Sequence, residues 1–158
     1  MFRDLVRKNK RMPLEECIEV LKNETRSVIS VLGDDEYPYG SPMNHFYNEE
    51  DGCIYFHSAV VGHRVDALKK HNKASLCVFD YGYRNEGEWA LNVKSVIVFG
   101  KVELITDYDT VVDITTKLSY KFTDDDEYIK KEIADAADHT LILKLIPEHI
   151  SGKYINES

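Results

Sequence analysis

Short segments of strand-type sequence, separated by tight turns, limit the folds open to this chain. Residues 27–32, 39–47 and 53–57 are rich in apolar and β-branched side chains, and turn residues at 33–36 and 48–52 separate them. Strands joined by so few residues run antiparallel, because parallel neighbours need a crossover of about a dozen residues or more. Pro42 interrupts the middle segment, so we expect an edge strand, a bulge or a place where a ligand replaces the neighbouring strand.

The later part of the chain adds further strands and helices. Strand-type sequence covers residues 74–81, 89–105, 140–146 and 150–154. Apolar spacing and capping residues predict helices at residues 13–23, 61–71, 107–120 and 121–137. Gly100 is expected to mark a bulge or bend, and Pro147 is expected to end a strand. Six or seven antiparallel strands with few helices predict a mainly β (α+β) fold, a small closed barrel rather than a doubly wound sheet.

Length and composition fit one ordinary globular domain. The chain has 158 residues, of which 43% are hydrophobic, so we expect a single domain over residues 1–158 with residues 1–11 as an arm. The net charge of −8 argues against nucleic-acid or anionic-membrane partners. No apolar run approaches the roughly 20 residues of a membrane helix, and the basic N-terminus lacks the apolar core of a signal peptide. Neither the three cysteines nor the six histidines have metal-binding spacing, so we expect a cytoplasmic protein without a metal.

The turn that follows residue 57 has the properties of a phosphate site. A strand ends at His57-Ser58, the chain turns through Gly62, and a helix begins at His63-Arg64. The first N–H groups of a helix have no internal partner and carry about half a positive charge. Arg64 offers a planar fork for two phosphate oxygens, and Gly62 lets the backbone approach closely. The segment predicts a site for the phosphate tail of a cofactor; alternatively, Arg64 is a solvated surface residue and His57 a core histidine bonded to the backbone.

Five short motifs resemble a known family. They read Y-P-Y-G-x-P-x-N at residues 37–44, I-Y-F-H-S-A-x-x-G-H-R at 54–64, S-V-I-V-F-G-K-V at 95–102, K-L-S-Y-K-F at 117–122 and S-G-K at 151–153. In this order they resemble the flavin-binding split-barrel family related to pyridoxamine 5′-phosphate oxidase. Within that family they resemble the nitroimidazole-resistance branch, the nitroimidazole reductase-like proteins. The resemblance extends from about residue 12 to residue 153.

This resemblance implies a homodimer of split barrels with two FMN molecules at the dimer interface. It implies three groups of flavin contacts: ring contacts from Pro42, Met43 and Asn44, contacts from the ring toward the phosphate from His57, Ser58 and Ala59, and phosphate contacts from Gly62, His63 and Arg64. Further contacts are implied for Ser95, Val96 and Lys153, and Trp89 and the tyrosines at 81–83 would stack over the flavin from the partner. His57 would donate a proton during reduction, since its unperturbed pKa lies near neutral pH.

The function that the resemblance implies is FMN-dependent electron transfer from NADH or NADPH to a small planar acceptor, of which a nitroaromatic compound is one candidate. The sequence has no dedicated NAD(P)H motif, which keeps open a non-catalytic module that binds flavin or haem. Pyridoxamine 5′-phosphate oxidase activity itself is a further alternative. That enzyme carries an arginine- and histidine-bearing C-terminal signature, whereas residues 148–158 here contain no arginine.

Overall fold

A computed structural model describes residues 1–158 and contains one antiparallel sheet with four flanking α-helices. The strands are β1 (Arg26–Leu32), β2 (Pro38–Asn44), β3 (Phe46–Asn48), β4 (Cys53–Ala59), β5 (Lys73–Phe79), β6 (Asn92–Ile105) and β7 (Thr140–Asn156). The helices are α1 (Leu14–Asn23), α2 (His63–Lys70), α3 (Tyr108–Ser119) and α4 (Asp126–Ala136). The predicted mainly β fold with a few flanking helices is confirmed.

The sheet curls because its two edge strands are neighbours in sequence. The strand order is β2-β1-β5-β6-β7-β4-β3, so β2 and β3 form the two edges, yet only His45 separates them along the chain. The two edges therefore meet at His45 without pairing with each other. The result is a curled half-barrel, as expected for a split barrel, and the sequence-based expectation of a closed barrel is wrong on this point.

Alternating side chains fill the inside of the curled sheet. Ile29, Phe56, Leu76, Val96 and Val98 are completely buried there. Burying a side chain of this size contributes about 1.5–3 kcal/mol, so these strands hold the sheet together mainly through their inward faces. Helix α1 covers one part of this core with its buried residues, which are Cys17, Val20 and Leu21. The three cysteines are free thiols.

The last strand continues through a proline that was expected to end it. β7 runs from Thr140 to Asn156, and Pro147 lies opposite Gly100 where the register between β6 and β7 shifts by one residue. The bulge accommodates a residue that has no N–H to donate to the ladder. Gly100 is needed because a Cβ there would collide with the carbonyl oxygen of Ile146. The predicted bulge at Gly100 is therefore confirmed, and the predicted strand end at Pro147 is wrong.

Several predicted boundaries shift by a few residues. The segment predicted as one strand over residues 39–47 is two strands, and Pro42 lies on the edge strand β2 as expected. Trp89 lies before β6 and is 72% exposed. Helix α4 begins only at Asp126. The preceding residue, Asp125, caps it, because its side chain accepts a hydrogen bond from the N–H of Tyr128. No helix combines the length and the apolar character needed to cross a membrane.

The N-terminal arm, residues 1–11, lies along the chain's own sheet. Phe2 stacks on His149, with 4.8 Å between ring centroids, and on Phe99. Most of the arm is nevertheless exposed.

An apolar cavity of about 450 Å³ lies beside Phe2, against β1, β5 and β6. None of the residues predicted to bind the cofactor lines this cavity.

Candidate functional site

The chain reverses between β4 and α2 at a glycine whose backbone conformation excludes most other residues. Gly62 has φ 137° and directly precedes the first residue of α2. A Cβ at this position would have no atom within 4 Å, so steric crowding does not explain the glycine. The backbone torsion does explain it, because side-chain-bearing residues rarely adopt such a φ. The conformation of Gly62 places Arg64 in the first turn of α2, beside the end of β4.

The Arg64 guanidinium is held in place by two serines. One terminal nitrogen donates to Ser41 Oγ at 2.7 Å, and the other donates to Ser58 Oγ at 3.4 Å. The third nitrogen, Nε, is buried and has no hydrogen-bond partner. A buried donor without an acceptor is costly, especially on a charged group. The structure thus shows a half-buried, oriented cation with unused hydrogen-bonding capacity rather than a freely solvated surface residue.

Three of the predicted segments meet at Arg64. An open cleft of about 410 Å³, here called the Arg64 cleft, is lined by Arg26, Pro42, Met43, Asn44, His57 and Arg64. β2 supplies residues 42–44, β4 supplies His57, and α2 supplies Arg64. Folding therefore brings together residues of β2 and α2 that are about 20 positions apart in the sequence. All of the lining residues except Arg26 are among those that the motifs indicated.

Arg26 is a functional candidate that the sequence motifs did not reveal. It begins β1 and pairs with Asn44 across the β1–β2 hairpin. The hairpin register is the signal that identifies it, because a turn at residues 33–36 places the start of one strand opposite the end of the other. The lining of the cleft contains two guanidinium groups and no carboxylate. In a protein with a net charge of −8, this is a locally positive site suited to an anion.

His57 lies at the boundary between the Arg64 cleft and a half-open surface groove between α3, α4 and the end of β4. Its neighbours on β4, Phe56 and Ser58, are buried, whereas His57 itself is exposed. Part of the imidazole ring is shielded from water by neighbouring protein atoms, and this desolvation lowers the pKa of His57 below its ordinary value. The imidazole is therefore neutral near pH 7. In this form it offers one N–H donor and one acceptor.

The remaining predicted residues lie elsewhere. The side chain of His63 turns away from the Arg64 cleft: its Nε2 accepts a hydrogen bond from the N–H of Asp34 at 3.1 Å, and its ring packs against Tyr39. Ala59 is exposed at the end of β4. Ser95 and Lys153 pair with each other across β6 and β7, three or more strands from β2 in the sheet, and line no part of the cleft.

Val96 presents no side chain to any cofactor, because that side chain is fully buried in the core. A contact from Val96 is restricted to its backbone. No group of three or more His, Cys, Asp or Glu residues is arranged to hold a metal ion.

The family assignment rests on a match over most of the chain. A sequence profile described as pyridoxamine 5′-phosphate oxidase matches residues 13–154. The chain belongs to this family. The resemblance seen in the motifs is thereby confirmed, and the Arg64 cleft lies within the matched region. No curated protein matches this family member by sequence.

Solved structures share the fold at low sequence identity. A candidate 5-nitroimidazole antibiotic resistance protein from Bacteroides thetaiotaomicron is 17% identical, with a TM-score of 0.75 over 92% of this chain and 87% of that chain. An FAD-binding protein from Mesorhizobium loti is 19% identical, with a TM-score of 0.67 over 92% and 97%. A flavocytochrome from Azotobacter vinelandii is 20% identical, with a TM-score of 0.73 over 90% and 67%. At these identities the likeness establishes the fold of this family member.

Proposed function

We propose that this protein binds FMN and acts as an oxidoreductase that passes electrons from NADH or NADPH to a small planar acceptor. The observation that carries the proposal is the Arg64 guanidinium, which two serines orient in the lining of an open cleft and whose terminal nitrogens keep further N–H donors. A phosphate oxygen satisfies such a group better than water, because both partners are charged.

The Arg64 cleft fits the phosphate end of FMN. That phosphate carries nearly two negative charges, and Arg26 and Arg64 supply two positive ones. The free N–H groups at the start of α2 lie beside Arg64 and provide further donors, whereas the Ser58 hydroxyl already donates to the carbonyl of Ala59. Similarity of fold to an FAD-binding protein and a flavocytochrome supports a flavin as the cofactor.

The rest of the cleft fits a flavin ring. Pro42 has no N–H, so the edge of β2 cannot continue the sheet fully at this residue and stays free for a ligand. Asn44 offers both donors and an acceptor to the polar edge of the ring. His57, neutral because of its lowered pKa, offers one N–H donor and one acceptor beside the ring. It would donate a proton to a reduced substrate only from its imidazolium form, which becomes more populated as the pH falls. Bound flavin supplies the electron transfer, while these residues orient it and restrict access to it.

We further propose a homodimer with FMN at its interface. The outer face of the sheet exposes Val28, Leu32, Phe79 and Phe99, and the loop before β6 exposes Tyr81, Tyr83 and Trp89. Large exposed apolar side chains in this number are typical of an interface. In a dimer, Ser95 and Lys153 of one protomer would serve the flavin held by the Arg64 cleft of its partner. This accounts for their distance from that cleft within one chain.

The test is the visible absorbance spectrum of the purified protein, followed by NADH or NADPH without oxygen. A flavin spectrum that bleaches supports the oxidoreductase. A flavin spectrum that persists with both donors favours the non-catalytic module, and a Soret band would indicate haem. A colourless protein that FMN does not restore contradicts the cofactor proposal. Oxidation of pyridoxamine 5′-phosphate would instead support the third alternative.

A further inference from the structure

The N-terminal arm is held against the sheet at both of its ends. Near its start, the ring of Phe2 stacks on His149 of β7, with 4.8 Å between ring centroids. At its end, Arg11 forms a β-bridge with Lys153, and the almost completely buried Met12 donates its N–H to a carbonyl of β7 at 3.0 Å. The backbone between these contacts therefore has a defined course, although most of its side chains are exposed.

The arm is strongly basic. Residues 1–11 contain five basic side chains and one acidic side chain, in a protein whose net charge is −8. The acidic side chain, Asp4, forms an ion pair with Arg11. The other four basic residues of the arm form no salt bridge. The arm therefore carries positive charge that no group of the folded chain neutralises.

Two of these unpaired cations share a cleft with a third from β7. This space, here called the arm cleft, is open to solvent and is lined by Arg3, Asp4, Leu5, Val6, Arg7 and Lys153. Arg3 and Arg7 are exposed, and Lys153 is half-buried and has no salt-bridge partner. Asp4, the one carboxylate of the lining, is already engaged by Arg11. The arm cleft is therefore a second positive site, separate from the Arg64 cleft.

The charges of the arm cleft suit a phosphate group. Exposed like charges repel one another only modestly, because water and salt screen them, but an anion that binds among them relieves this repulsion. It also gains charge-assisted hydrogen bonds from two guanidinium forks. A phosphate monoester has nearly two negative charges and three acceptor oxygens, so it engages three cations more fully than a singly charged carboxylate does.

The arm cleft shares Lys153 with the proposed flavin site. Lys153 pairs with Ser95 across β6 and β7, and in the proposed homodimer both serve the flavin held by the partner. The arm cleft would then lie beside that flavin. The flavin's own phosphate is assigned to Arg64 of the protomer that holds it, so an anion in the arm cleft belongs to another molecule. In the proposed reaction, the molecule that brings further phosphates is the nicotinamide dinucleotide.

We propose that the arm cleft binds the 2′-phosphate of NADPH, and that the protein therefore prefers NADPH to NADH as its electron donor. The proposal rests on the proposed function, because it names the donor of that reaction. NADH has a hydroxyl group in place of this phosphate, so the two donors differ in charge at this position alone. The bound donor passes its hydride, with both electrons, directly to the flavin and leaves as the oxidised dinucleotide. Arg3, Arg7 and Lys153 hold the phosphate and take no part in that transfer.

The experiment is isothermal titration calorimetry of the full-length protein saturated with FMN, so that the Arg64 cleft is occupied. Adenosine 2′,5′-bisphosphate is the probe, and adenosine 5′-monophosphate, which lacks the 2′-phosphate, is the matched comparison. The test variants are Arg3→Ala, Arg7→Ala and the two combined. Lys8→Ala is the control, because it removes the same charge from an exposed position of the arm outside the lining. Thermal unfolding establishes that each variant is folded.

We expect the bisphosphate to bind at least about tenfold more tightly than the monophosphate at low ionic strength, and less tightly as salt is added. Arg3→Ala and Arg7→Ala should each weaken binding of the bisphosphate by about threefold, and the double variant by about tenfold. Lys8→Ala should change it by less than about twofold. Equal binding of the two nucleotides, or equal affinity of the double variant and Lys8→Ala for the bisphosphate, would overturn the proposal.

Reduction of the bound flavin without oxygen tests the donor preference directly. The double variant should raise the NADPH concentration that gives half the maximal rate by about tenfold, and it should leave the corresponding NADH concentration nearly unchanged. An equal effect on both donors, or no effect on either, would contradict recognition of the 2′-phosphate by the arm.

Failure of this proposal is distinguishable from failure of the proposed function. A flavoprotein that both donors reduce equally well, in the wild type and in the double variant, would retain the oxidoreductase and lose the arm site. A protein that binds no flavin, but whose affinity for adenosine 2′,5′-bisphosphate falls in the double variant and not in Arg64→Ala, would retain the arm site and lose the oxidoreductase.

Discussion

The ammonium group of Lys121 donates a hydrogen bond to the backbone carbonyl of His45 at 2.8 Å, across 76 positions of sequence. The same ammonium group donates to the carbonyl of Glu24 at 2.7 Å. His45 is the residue that joins the two edges of the sheet, and Glu24 follows the last residue of α1. One cation, two residues after the end of α3, therefore links the end of α1 to the residue between the two edges of the sheet.

Lys121→Met should destabilise the fold, because it leaves two partly buried carbonyls without their donor. We expect a loss of about 1–3 kcal/mol in the free energy of unfolding at pH 7, measured with urea. Lys130→Met, at an exposed position on α4, is the control and should change stability little. Unchanged or increased stability of Lys121→Met would show that the two hydrogen bonds do not hold the sheet edges together.

Lys121 should also make the free energy of unfolding depend on pH. Burial lowers the pKa of Lys121 to about 8, against an ordinary value of 10.5. Between these two pH values the unfolded chain holds a proton that the folded chain lacks, so this group makes stability rise with pH there. The rise should be absent from Lys121→Met in urea unfolding at pH 8 and pH 10. An identical slope in both proteins would contradict a lowered pKa.

His45 should make the fold sensitive to acid. Its ring is fully buried, Nε2 donates to the carbonyl of Leu21 at 2.8 Å, and Nδ1 has no partner. Burial, and to a lesser extent the charge of Lys121, lower the pKa of His45 from 6.5 to about 4. The unfolded chain binds the proton first as pH falls, so stability contributed by neutral His45 is present above about pH 6.5 and is lost progressively toward pH 4.

This loss should amount to about 3 kcal/mol by pH 4. His45→Gln keeps a donor but does not titrate, so its stability should fall less between pH 7 and pH 4 than that of the wild type. The exposed His71→Gln is the control and should follow the wild type. Parallel acid curves for His45→Gln and the wild type would assign the acid sensitivity to other groups.

The sequence alone was sufficient to predict most helices and strands and the residues at the centre of the candidate site, because both depend on local patterns. Turn residues bound β1 and β4, and a helix follows Gly62 at the predicted place. His57 and Arg64 belong to one continuous motif, so their proximity required no knowledge of the fold. The edge position of Pro42 also followed from a local property, its missing N–H.

The sequence was insufficient where a residue's role depends on a distant partner. Pro147 remains in a strand because Gly100, on the neighbouring strand, allows the bulge. His63 contacts Asp34, in the turn after β1, and so leaves the Arg64 cleft, although its neighbour Arg64 stays. Arg26 enters that cleft only through the hairpin register, and Ser41 becomes a partner of Arg64 from another strand.

Arg64→Ala should lower FMN affinity by about ten- to a hundredfold, the size of a lost charged hydrogen bond. Arg26→Ala should also weaken binding, but less, because Arg26 is the more exposed of the two. Flavin fluorescence titration measures both. Lys69→Ala removes the same charge from an exposed position on α2 and should leave affinity unchanged. Equal affinity in Arg64→Ala and Lys69→Ala would place the phosphate elsewhere.

Phe79→Glu should dissociate the proposed homodimer and weaken flavin binding with it. Phe79 is 58% exposed on the outer face of β5, and a buried carboxylate at an apolar interface would be costly. Light scattering should show a dimer for the wild type and a monomer for Phe79→Glu. Tyr128→Glu introduces the same charge at an equally exposed aromatic residue on α4 and should remain dimeric. A wild-type monomer that binds FMN with full affinity would contradict a shared site, because Ser95 and Lys153 would then have no flavin within reach.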